Sequence, residues 1–122
     1  MAIEDFEVQP DGAQVFRKLT APSTGGVVGD PGLVGDRPCV LLTDQDAAGY
    51  ATVRFQGAYR FLVEGADGSG DSAIAINGAV YYDTAATIKI NEDSTNGVRF
   101  GTAVEAVASG AETVIIVDIH HG

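Results

Sequence analysis

The sequence predicts an all-β fold: a small antiparallel β-barrel or sandwich of about seven or eight short strands, with an extended N-terminal arm. Three observations carry that expectation. Residues 113–119 hold Val114, Ile115, Ile116, Val117 and Ile119, and β-branched side chains pack on a pleated surface better than on a helix. Sixteen glycines are spread over 122 residues, many beside Asp, Asn or Ser, which divides the chain into short runs joined by tight turns. Between those breaks the apolar residues alternate or cluster briefly, and no segment repeats them at helical spacing.

In chain order, residues 1–19 mix charge and hydrophobe loosely (Ile3, Phe6, Val8, Val15, Phe16, Leu19) around a Pro10-Asp11-Gly12 turn. They read as an arm that adds an edge strand at home or lies across a neighbour, because extended backbone pairs with open sheet edges. Residues 20–122 are then the single folded domain that the length supports. Residues 20–38 are rich in Gly and Pro and read as loop with at most one short strand around Val27. A short apolar strand over 39–43 is followed by the turn DQDAAG, and 50–56 alternates Tyr50, Thr52 and Arg54 against Ala51, Val53 and Phe55. Gly57 breaks that run before a strand over 58–63, and GADGSGDS is a polar loop. In AIAI-NG-AVYYD, Asn77-Gly78 stands between two apolar runs, the strongest short hairpin signal because both residues accept the positive φ of a type I′ turn. One more strand over 87–90 precedes the loop NEDSTNG, and FGTAVEAVASGAETVIIVDI closes the chain as two strands joined at Ser109-Gly110. In its second strand both the odd positions (Ile115, Val117, Ile119) and the even ones (Val114, Ile116) are apolar. One face needs the core and the other needs a second cover, which makes Val114 and Ile116 candidate subunit-interface residues.

Composition and motifs narrow the function classes. Seventeen acidic residues against seven basic ones give a net charge of −10, the wrong sign for neutralising phosphates, so nucleic acid is not an expected partner. No run approaches the ~18 apolar residues of a membrane span, and no membrane partner is expected. The single cysteine, Cys39, precedes Val40 and Leu41 and reads as a buried structural thiol. Gly68-Ser69-Gly70-Asp71-Ser72-Ala73 formally fits a dinucleotide fingerprint, but no helix follows it. Asp67, Ser69 and Asp71 match the first ligand spacings of a calcium loop, whereas Ser72 and Gly78 replace its Gly and Glu; a solvated loop is the favoured reading. The lysines, Lys18 and Lys89, follow Arg17 and Ile88, so no phosphate-binding G-K-[ST] exists. His120 and His121 are consecutive at the C-terminus, where strand side chains diverge, and Asp44 and Asp46 flank a turn that aspartate commonly caps. These residues assemble no catalytic constellation, so no enzyme, cofactor or metal is expected.

Four stretches, TAPSTGGVVGDPGLVG, VLLTDQDAAGYATVRFQGAYRF, INGAVYYD and FGTAVEAVASGAETVIIVDI, resemble the small phage head decoration proteins, also called capsid cement or head fibre proteins, some of which carry a phage recombinase label. The family pattern has a T-A-P near the start, a G-V-A-L-T-D-A-x-x-G unit, a G-D-x-V-Y-Y-D turn and a closing F-G-x-A-x-E-A-x-x-x-G-x-x-x-V-x-V strand pair. The resemblance spans residues 20–119. Here Pro38, Cys39 and Val40 stand near the G-V-A portion, Asn77-Gly78 replaces Gly-Asp, and the arm matches least.

The resemblance implies a β-barrel-like domain that binds the outer surface of an assembled head as a homotrimer and stabilises it. The partner would be the phage major capsid protein. The location would be the virion's capsid exterior after synthesis in the cytoplasm of the bacterial host. Phe6, Val8, Phe16 and Arg17 are the candidate capsid contacts on the arm. The alternative, from a different class, is a surface-displayed binding or adhesion module for carbohydrate or calcium, with Tyr50, Phe55, Tyr59, Phe61, Tyr81 and Tyr82 as its possible stacking platform.

Overall fold

Residues 15–119 are described in the computed structural model, and every regular element among them is a strand. In chain order these are β1 (Val15–Lys18), β2 (Pro31–Val34), β3 (Arg37–Leu41), β4 (Tyr50–Arg54), β5 (Gly57–Glu64), β6 (Ala66–Asp67), β7 (Gly70–Asp71), β8 (Ala79–Tyr82), β9 (Ile90–Asn91), β10 (Val98–Ala103) and β11 (Glu112–Ile119). Five of them close a barrel in the order β10-β11-β5-β9-β8. Four more form a sheet in the order β1-β4-β3-β2, and β6 and β7 make a small ribbon. The all-β, barrel-containing fold that the sequence predicts is therefore the fold observed.

The barrel's longest seam is the antiparallel ladder of β5 and β11, in register from Glu112 opposite Glu64 to Ile119 opposite Gly57. Alternation along both strands turns Phe61, Val63, Ile115, Val117 and Ile119 inward, where all are buried. Phe100 meets them from β10. Its ring contacts the Phe61 ring edge-on, with centroids 5.3 Å apart at 87°, a favoured aromatic geometry. Phe100 reaches the core because β10 bulges against β8: Arg99 faces Tyr81, Gly101 faces Val80, and the residue between has no partner. Gly101 sits so close to the Asp118 carbonyl that a Cβ there would collide with it.

A second core lies under the four-stranded sheet. Leu19, Cys39, Leu41, Ala51, Val53 and Phe55 pack together there, while Val40 and Leu33 point the other way into the barrel core. β3 is thus buried on both faces, as its run Pro38-Cys39-Val40-Leu41 requires. The chain passes from this sheet into the barrel at the bend of Phe55 and Gln56, where Gly57 takes φ +115°, the break expected at that glycine.

The strand expected over 87–90 is reduced to β9 at Ile90–Asn91, the expected polar loop over 65–72 carries the β6–β7 ribbon, and three further differences concern turns and pairing. Residues 31–41, expected as loop up to 38, form a tight β2–β3 hairpin with Val34 opposite Arg37. Its two-residue turn is Gly35-Asp36, with Gly35 at φ +62°, and Val27 lies in no strand. Asn77-Gly78 does turn, with Asn77 at φ 67° and the Gly78 N–H donating to the Ala75 carbonyl, but it joins no hairpin. The segment before it pairs with Val107 through an isolated bridge at Ile74, and the turn itself bonds to the end of β10 through Ala103. Finally, β9 joins β5 in parallel at Val63 opposite Ile90, so the barrel is not a pure antiparallel meander.

Burial sets the ionisation of two core groups. Cys39 is fully buried, and desolvation pushes its thiol from 9.0 up to about 12. Desolvation, with help from Asp30 and Cys39, pushes the Tyr82 phenol from 10.0 up to about 12. In both cases the unfolded chain releases its proton first, so stability is intact at neutral pH and declines as pH rises from 9.0 towards about 12. Urea unfolding midpoints measured across that range should fall, and Tyr82→Phe should blunt the fall; a flat profile would contradict the burial of these two groups.

Candidate functional site

The outer face of the β5–β11 ladder carries adjoining apolar side chains that the described residues leave uncovered. Residues directly opposite each other in an antiparallel ladder share a face. Leu62 therefore lies beside Val114, Arg60 beside Ile116, Glu64 beside Glu112 and Ala58 beside Asp118. Leu62 is 44% exposed and Val114 54% exposed, and Val104, at the margin of the same seam, is 43% exposed. Ile116 is half-buried. Neighbouring apolar side chains at adjoining outward positions make a patch, which a single exposed leucine would not.

Both edges of β11 are held, so the patch is presented on a fixed frame. On one side the ladder with β5 is continuous. On the other, β10 pairs with it only over Gly101, Thr102 and Ala103. Beyond that point the Val104 N–H donates to the Ile116 carbonyl at 2.9 Å, and the Ile116 N–H donates to Glu105 Oε1 at 3.0 Å. Glu105 thus stands in for a strand carbonyl. Asp118 is exposed. At the far end Glu64 and Glu112 face each other as like charges, an arrangement that costs stability unless a cation lies between them.

The structure places the two expected interface residues, Val114 and Ile116, together on this face. It adds Leu62 and Val104, which reading each strand separately does not connect. The candidate arm contacts sit elsewhere. Phe16 and Arg17 lie on β1, the edge strand of the four-stranded sheet, whereas Phe6 and Val8 fall outside the described residues. Phe16 is 59% exposed and stacks on Tyr50 with centroids 5.3 Å apart at 16°. Arg17 is half-buried and makes only a long contact to the Phe16 carbonyl, at 3.4 Å.

The other sites weighed from sequence resolve into local structure. Of the possible stacking platform, Phe55, Phe61 and Tyr82 are core residues and Tyr59 and Tyr81 are half-buried, which leaves Tyr50 exposed. Asp67 Oδ1 accepts the N–H groups of Ser69 and Gly70, closing its loop as an Asx turn. Asp46 does the same for Ala48 and Tyr50, and Asp44 accepts the Val28 N–H. Asp93 is buried, and hydrogen bonds from the Asn96 side chain and backbone hold its carboxyl below the ordinary range. Among the described residues no group of three or more His, Cys, Asp or Glu is placed to hold a metal ion, and no helix is long and apolar enough to cross a membrane. His120 and His121 lie outside the described residues.

The two faces of β11 should separate cleanly by mutation. In denaturation at concentrations low enough to dissociate any assembly, Ile115→Ala should cost about 2–5 kcal/mol. Val114→Ala should cost about 1 kcal/mol or less. Similar losses for both would show that the outward face is covered by the chain itself.

No protein-family model matches the chain, and neither the curated proteins nor the solved structures contain a match.

Proposed function

We propose that the chain is a capsid decoration protein of a tailed phage, which binds the outer surface of the assembled head as a homotrimer and reinforces it. The observation that carries this reading is the apolar outer face of Leu62, Val114, Ile116 and Val104 on a fixed ladder. Obligate subunit interfaces are apolar at their centre with a polar rim, and the apolar patch with charged residues along the same ladder fits that pattern. The resemblance of residues 20–119 to head decoration proteins supports the assignment, and the closed barrel agrees with the fold it implies.

In this reading the partner is the major capsid protein and the location is the capsid exterior. No catalytic step is needed. A trimer touching several capsid subunits gains by multivalency, so each contact can be small and still hold the shell tightly. The net charge of −10 keeps free protein apart and favours a capsid face carrying basic groups. Phe16, exposed on β1 within the arm at one edge of the four-stranded sheet, would offer an apolar contact there.

A carbohydrate-binding module is the second reading, favoured by the exposed Phe16–Tyr50 stack. One experiment decides between them. Purified protein mixed at micromolar concentration with expanded heads lacking it should co-sediment with the heads and raise the temperature at which they rupture. Absence of binding at both low and moderate salt would sink the decoration reading, and retention by glycans instead would favour the module.

A further inference from the structure

Beside the outer face, where the loop before β2 meets the barrel, a hollow of about 290 Å³ opens between Pro22 and Asp30 on one side and Arg60, Leu62, Tyr82 and Lys89 on the other. A second hollow of about 310 Å³ shares Pro22, Tyr82 and Lys89 with it. Their sizes stand near the lower end of small-molecule sites, roughly 300–1,000 Å³.

The polar groups of these walls are under-used. Tyr82 is 2% exposed, and its ring lies in the barrel core with its centroid 6.2 Å from that of Phe100. Its hydroxyl makes no hydrogen bond among the described residues, yet no fully sealed side-chain polar atom lacks a partner. The hydroxyl is therefore open to a hollow, and a buried phenol normally finds a partner. Lys89 Nζ donates to the Thr84 carbonyl at 2.9 Å and the Ala86 carbonyl at 2.7 Å, which leaves one ammonium proton. Neither Lys89 nor Arg60 has a carboxylate partner among the described residues. Two of the seven cations in a chain of charge −10 thus line one hollow against a single carboxylate, Asp30.

We propose that this hollow binds a small organic monocarboxylate with an apolar body. The carboxylate accepts hydrogen bonds from the Tyr82 hydroxyl and the remaining Lys89 proton, with Arg60 adding charge. Ile88 and Pro22 line the space for the apolar body. Asp30, whose Oδ2 accepts the Val27 N–H at 3.0 Å, stands on the opposite wall; it holds the carboxylate to the Lys89 and Arg60 side and repels a second negative charge more strongly, since the two cations then no longer outweigh it. That wall selects a monoanion over phosphate or a dicarboxylate. The phenol, held up at about 12, remains a donor throughout the neutral range.

Benzoate titrated into the full chain, followed by backbone amide shifts, tests the assignment. It should saturate with a dissociation constant of about 1 mM, or tighter, and move the signals of Tyr82, Ile88 and Lys89. Tyr82→Phe removes a hydroxyl that makes no internal hydrogen bond, and Arg60→Gln alters an exposed side chain. Both should leave the fold intact and weaken benzoate about tenfold. Benzyl alcohol, which has the same body without the charge, should bind at least about tenfold more weakly. The proposal is overturned by an absence of shifts at about 20 mM benzoate. It is equally overturned by equal binding of benzyl alcohol, by equal competition from inorganic phosphate, or by unchanged binding in both variants.

Discussion

The β5–β11 ladder is the interaction on which the remaining structure depends. It is the longest pairing in the described chain and the only one in which two eight-residue strands match from end to end. Because side chains alternate, fixing this register fixes two surfaces at once. The inward set builds the barrel core around Phe61 and Phe100. The outward set brings Leu62 beside Val114 and Arg60 beside Ile116. A slip of one residue would exchange them, exposing Ile115 and Val117 and burying Arg60. The core thus enforces the geometry of the outer face.

The four-stranded sheet is tied to that frame through β3. With Val40 in the barrel core and Cys39 and Leu41 in the second core, this strand joins two hydrophobic clusters that would be marginal apart. The loop before β2 is thereby held against the barrel, so Asp30 and Pro22 face Tyr82 and Lys89. The hollow is a product of how the two sheets meet. It belongs to neither sheet alone.

Much of this was legible in the sequence, for reasons that differ by element. The β-branched run of β11 declared a strand with two apolar faces, and Gly57 marked the break between β4 and β5. The hairpin was misplaced because two competing turn signals look alike on paper. Gly35-Asp36 has the two-residue form of a hairpin, yet Pro31 and Pro38 on either side disguise its strands as loop. Asn77-Gly78 has the stronger form, but the segment before it lies where β10 and Val107 claim its hydrogen bonds. Half of the candidate face was readable, since Val114 and Ile116 occupy alternate positions of one strand. Leu62 was not, because only the register with β5 sets it beside Val114. The hollow at Tyr82 was beyond sequence reasoning, since it depends on a hydroxyl left open at a junction of two sheets.

In the proposed trimer the outward face of this ladder seats another copy of the chain. Sedimentation equilibrium over a range of protein concentrations tests it most directly, on the native chain and on Val114→Asp, a substitution at a position that is 54% exposed in the single chain. The native protein should sediment as a trimer and the variant as a folded monomer. A native protein that stays monomeric at every concentration, or a variant that assembles equally well, would contradict it.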